Sequence, residues 1–208
     1  MESSHNLEAP YPDAALTAAR PWAARWLSIV FSPPLTTVSS LALAAGTLAT
    51  PAAWAWALVT IGLALVVPMG YIAWLVARGE VSDYDLRIRA QRPRPYLMTT
   101  ACGAASWLLL TLGSAPPLLT LLAGTLAVQA AVLMLITLTW KISLHTAAMA
   151  SWLAVCLALF GSAAAPLAGL VLAVAWARVQ LRRHTPWQTV AGALVGFLMT
   201  SASLAWLG

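Results

Sequence analysis

Beyond Asp85 this 208-residue sequence has no aspartate or glutamate, and charged residues of both signs make up only 8% of it. A soluble domain carries about 25% charged residues, so the shortage excludes that class. Cysteine is nearly absent as well. Cys102 and Cys156 both lie in apolar runs without metal-ligand spacing, and they read as small packing residues. The N-terminal stretch lacks a basic start followed by a short apolar core and instead carries Glu2, Glu8 and Asp13, which argues against a cleaved signal. Residues 1–25 therefore read as a polar tail in which Pro21, Trp22 and Trp26 suit an interfacial lead-in, and residues 26–208 as a single transmembrane domain.

What is abundant is apolar: 61% of the residues are hydrophobic. Four runs, 26–77, 95–140, 142–177 and 184–208, contain no Lys, Arg, Asp or Glu. A spanning helix needs roughly 20 apolar residues, so the runs hold two, two, two and one spans. Breakers fall near the middle of each double run, at 46–51, 113–117 and 161–166. The reading is an all-α polytopic transmembrane helical bundle of six to seven spans, near 27–49, 53–77, 96–113, 117–139, 145–162, 164–181 and 187–207. Pro33 and Pro34 should kink the first helix or delay its start.

All the basic residues fall at one kind of place: Arg20 and Arg25 before the first span, Arg78 to Arg94 after the second, Lys141 after the fourth, and Arg178, Arg182 and Arg183 at the end of the sixth. Two spans separate successive clusters, which puts every charge on one side. The positive-inside rule makes that side cytoplasmic and the C-terminus external. Arg20, Arg25 and Arg78 are explained by topology and attraction to anionic lipid, and Arg182 and Arg183 by anchoring of the sixth helix. Nucleic-acid binding is not expected, because the basic residues are dispersed among spans and not gathered in a soluble module.

His145 and His184 fall on the same side as the arginines, within three polar segments: RIRAQRPRP (87–95), KISLH (141–145) and ARVQLRRHTPWQ (177–188). In order and spacing they resemble the three signatures of the type 2 phosphatidic acid phosphatase and vanadium haloperoxidase superfamily: K-x6-R-P, P-S-G-H and S-R-x5-H-x3-D. Arg87, Arg94 and Pro95 match the first, with Arg for Lys. Ser143 and His145 match the second, with Ile142 for Pro and Leu144 for Gly. Arg178 and His184 match the third, with Ala177 for Ser and Gln188 for Asp.

The resemblance implies a membrane phosphatase in which His184 attacks phosphorus, giving a phosphohistidine, and His145 protonates the leaving oxygen. No metal or cofactor enters that chemistry. The residue types suit it independently: arginine's planar fork grips phosphate oxygens bidentately, which makes Arg87, Arg94 and Arg178 candidates. Ser143 and Thr185-Pro186 suit helix starts, whose unpaired N–H groups and positive dipole end attract phosphate, and Ser143 joins the phosphate-binding candidates. Lys141 either touches phosphate or anchors its helix at the headgroups. The family's Asp orients the nucleophilic imidazole. Here Gln188 stands in its place, or Asp83 or Asp85 approaches His184 in space.

The expected substrate is a membrane-embedded phosphate monoester or isoprenoid diphosphate. The alternative is a degenerate lipid-phosphate-binding or scaffold subunit of a membrane complex, motivated by Gln188, Ala177 and Leu144. The stretch SDYDLRIRAQRPRPY (82–96) also resembles the aspartate-rich loop of membrane prenyltransferases, which hold diphosphate through magnesium. That chemistry needs a second acidic motif and a longer chain; with no acid after Asp85 the sequence disfavours it, and strong magnesium dependence would revive it.

Overall fold

The computed structural model describes residues 22–207, which are almost wholly helical. The helices are α1 (Trp22–Val30), α2 (Pro33–Leu48), α3 (Pro51–Ile61), α4 (Val67–Ala77), α5 (Pro93–Leu112), α6 (Pro117–Thr139), α7 (Leu144–Phe160), α8 (Ala168–Gln180) and α9 (Pro186–Leu204). Five of them, α2, α3, α5, α6 and α9, carry proline at their start. The first turn has no partner for its N–H groups, so proline costs nothing there and its fixed φ sets the helix going.

Of the tail expected over 1–25, residues 1–21 lie outside the described part. Residues 22–25 are helical instead, because α1 has a face to bury: Ala24 packs with Ala177 and Leu181 of the α8 end. The kink expected at Pro33 and Pro34 is present as a 44° bend between α1 and α2.

Five stretches are long and apolar enough to cross a membrane, Pro51–Ala77, Arg89–Leu112, Pro117–Thr139, Leu144–Gln180 and Pro186–Leu204, and α1 with α2 makes a sixth if the bent pair is one span. The expectation was six to seven. The difference lies in Leu144–Gln180, one stretch by length that turns back at Gly161, where φ is 63°, within the break expected at 161–166. Its legs α7 and α8 pack against each other. Large apolar side chains such as Trp54, Leu58, Leu112, Leu172 and Leu198 face outward along these helices. That suits lipid and no soluble monomer.

The close packing of α7 on α9 depends on glycine. A Cβ on Gly192 would collide with the Ser143 carbonyl and the Thr146 hydroxyl, and one on Gly196 with the Ala147 carbonyl. Lipid tails are as apolar as leucine, so helices in a membrane are held by close backbone approach of this kind. Gly196→Leu is expected to destabilise the fold by about 1–3 kcal/mol through overpacking. A lowered thermal midpoint in detergent checks this, and a midpoint equal to the parent's contradicts it.

Three loops are tied together at the charged end of the bundle. Arg89 Nη1 donates to the Leu138 carbonyl (2.7 Å), Arg92 Nη1 to the Ile142 carbonyl (3.3 Å), and the Ser143 N–H to the Gln188 carbonyl (3.2 Å). The three polar segments of the sequence thus meet.

Candidate active site

Between α2, α4, α5, α6 and α7 lies a cavity of about 370 Å³. Its polar end is formed by Asp85, Arg92, His145, Arg178 and His184. Its shaft is apolar, with Leu65, Met69, Tyr96, Leu126, Leu133 and Val155 among its walls. The π-turn Gly62–Val66 contributes Ala64 and Leu65. Pro68 follows two residues later and has no N–H for the Ala64 carbonyl, so the helix widens there.

His184 is placed by the start of α9. Thr185 caps that helix, and its N–H donates to Gln188 Oε1 (3.1 Å), completing a capping box. A backbone donor on that atom identifies it as the amide oxygen, so His184 Nδ1, 3.2 Å away, must be the protonated nitrogen. Nε2 is then left with its lone pair. Burial, followed by the charges of Arg178, Arg92 and Lys141, pushes the His184 imidazole down from its ordinary 6.5 to about 3, against the opposing pull of Gln188. A lowered value means the charged form appears only near pH 3, whereas a free histidine is mostly charged already at about pH 5. His184 is therefore expected to remain neutral at about pH 5. Imidazole 15N shifts, assigned with His184→Gln, test this, and a protonated ring at that pH contradicts it. Gln188→Asp adds a carboxylate on the Nδ1–H and should move the titration upward.

His145 stands in the first turn of α7, which Ser143 caps by accepting from the Thr146 N–H (3.4 Å). Its Nε2 lies 3.4 Å from Arg178 Nη1, which can only donate, so Nε2 is the acceptor. Arg178 reaches it from the last turn of α8 and is 3% exposed. The same Nη1 donates to Ser28 Oγ (2.7 Å) and faces Asp85 Oδ2 (3.5 Å). Through Ser28, α1 thus holds the guanidinium that faces His145.

Of the residues singled out in the sequence, His145, His184, Arg178 and Asp85 converge on one cavity. Gln188 is the partner of His184, while Asp85 sits on Arg178 and not on the imidazole. Asp83 pairs with Arg87 (3.7 Å). Arg87 lines a neighbouring cavity that shares Asp85, His145 and Arg178 with the first. Ser143 is fully buried and its hydroxyl is used in the cap, and Lys141 lines neither cavity although its charge is felt at His184.

Arg94 does not enter the site. It is paired with Glu80 (2.9 Å) and its side chain is 73% exposed. Arg92 is there instead, buried and pinned by the Leu86 carbonyl on Nε (2.8 Å) and the Ile142 carbonyl on Nη1. Its remaining N–H groups are left for the cavity. The reason is positional: α5 begins at Pro93, so the residue just before it turns toward the other loops and Arg94 turns away. The sequence held the signal, since RPRP contains two Arg-Pro pairs and Arg92 also begins one. No signal pointed to Ser28.

Two histidines and two buried arginines thus stand at one end of an apolar shaft in a helical bundle with membrane-length spans. Among the described residues, no three His, Cys, Asp or Glu side chains gather as metal ligands. A family model for the PAP2 superfamily matches residues 68–208, and the chain belongs to that superfamily. Its members are phosphoesterases, which makes phosphatase-type chemistry on phosphate esters the activity of this class. No curated protein and no solved structure matches the chain.

Proposed function

We propose that this protein is a metal-independent lipid phosphatase that hydrolyses a membrane-embedded phosphate monoester or isoprenoid diphosphate through a phosphohistidine on His184. The observation that carries the reading is the cavity itself, with histidines and arginines at one end and an apolar shaft running into the bundle. An amphiphile fits it head first, its tail held where the helices are lipid-like. The positive-inside rule puts the charged end on the cytoplasmic face.

The steps follow from the side chains. Phosphate oxygens draw the N–H groups of Arg178 and Arg92, which neutralise its charge. Arg178 then releases His145 Nε2, which takes up a proton beside the bound dianion. His184 Nε2 attacks phosphorus while Gln188 holds the Nδ1–H, the bond from phosphorus to the leaving oxygen breaks, and His145 gives that oxygen its proton. In the second half, water attacks phosphorus, the P–N bond breaks, and His145 accepts the water's proton. Orthophosphate and neutral His184 result. Gln188 orients without supplying charge; in a serine protease triad, replacing the orienting Asp by an amide costs about 10⁴-fold in turnover. A modest turnover number is the expected consequence.

The test is phosphate release by purified protein from phosphatidate and from prenyl diphosphates, with chelator present throughout. Release from either supports the reading. Binding of these lipids without release establishes a non-catalytic subunit instead.

A further inference from the structure

A second cavity, of about 420 Å³, adjoins the first. Arg25 of α1, Arg87 and Arg183 line it, and it shares Arg178, Asp85 and His145 with the lipid cavity. Four guanidinium groups thus face one carboxylate. Two of these arginines also carry buried N–H donors, Nε of Arg178 and Nε of Arg183, with no hydrogen-bond partner among the described residues. A buried charged donor left unmade is costly, and such groups in native proteins have partners. Asp83 pairs with Arg87 and Asp85 with Arg178, which leaves a positive excess that water does not satisfy. An anion rich in oxygen acceptors satisfies both.

We propose that this second cavity is a phosphate site separate from the one His184 faces, with Arg183 and Arg25 as its own ligands and Arg178 as the wall between the two. Arg178 is the hinge of the arrangement because it is the buried arginine common to the two cavities. The phosphate has two sources consistent with this chemistry. It is orthophosphate stepping from the histidines toward the charged face after hydrolysis, or it is the distal phosphoryl group of a diphosphate whose proximal group lies in the first cavity. Only the source rests on the phosphatase reading; the site rests on the arginines.

The experiment is calorimetric titration of inorganic phosphate into the full chain in nanodiscs of zwitterionic lipid. Wild type should bind at two sites. The double variant R25Q/R183Q should retain one with its affinity unchanged, which also shows that it folds, and should lose or weaken the other by about tenfold or more. Arg183→Lys should keep both sites, with the second weakened less, since a cation remains but the fork is lost. One site in wild type, or identical titrations of wild type and the double variant, overturns the proposal.

Turnover measurements then separate the sources. If R25Q/R183Q loses diphosphate turnover while keeping monophosphate turnover, the second phosphate belongs to the substrate. If the two turnovers fall alike but product inhibition by orthophosphate weakens about tenfold, it is the released product. Should wild type turn over neither lipid, the phosphatase reading fails while the titration still decides the second site.

Discussion

His184→Gln is expected to lower kcat/KM on the preferred lipid phosphate by about 10⁴-fold or more, the scale seen when the nucleophile or its base is removed from a catalytic unit. In the proposed mechanism the whole reaction passes through the lone pair on Nε2, and glutamine has no equivalent. The loss should fall on kcat, with KM little altered, because the arginines proposed to grip phosphate are untouched. Glutamine keeps a polar group at the start of α9, and the Thr185 cap does not depend on the imidazole. An unchanged thermal midpoint with activity lost is therefore the expected pair. A variant with more than a tenth of wild-type kcat removes His184 from the mechanism.

Arg178→Gln should be the next most damaging substitution, with kcat/KM reduced by about 10²- to 10³-fold, as when one preorganised donor to a developing oxyanion is deleted. Here the loss should appear in KM as well as kcat, since the proposal has the same guanidinium bind the ground-state phosphate. Arg178→Lys should recover only part of it: the ammonium keeps the charge but cannot hold Ser28, Asp85 and phosphate through one planar fork. Full activity in Arg178→Lys would mean that charge alone matters. A folding defect would show first in Arg178→Gln, because Asp85 would lose its only buried cationic partner among the described residues, and a midpoint measurement separates the two effects.

The features that were legible in the sequence are local ones. Ser143 and Thr185 are helix caps because a cap depends on a few neighbouring residues, and both act as expected. The turns near Gly46, Gly113 and Gly161 were visible because breakers interrupt apolar runs. The meeting of the polar segments was implied by topology, since two crossings return each to the same side.

What was hidden depends on contacts across long stretches of chain. Arg92 and Arg94 are alike in sequence, and their separation into a cavity residue and a surface residue is decided by carbonyls of Leu86 and Ile142 and by Glu80. Asp85 was a candidate partner for His184, yet the partner it finds is Arg178, which α8 delivers from the far leg of a hairpin. Ser28 lies before the matched region 68–208 and joins the site only because α1 bends back across α8. The turn at Gly161, by contrast, falls inside the break read at 161–166, and it divides Leu144–Gln180 into the two legs α7 and α8.

The central claim is a covalent phosphoryl group on His184, and rapid quenching of the enzyme with 32P-labelled lipid phosphate, followed by peptide mapping, tests it most directly. The label should be stable to alkali and labile to acid, should map to His184 at Nε2, the nitrogen opposite the one Gln188 holds, and should be absent from His184→Gln. Phosphate release at the wild-type rate with no such label, or with the label on another residue, would contradict the account.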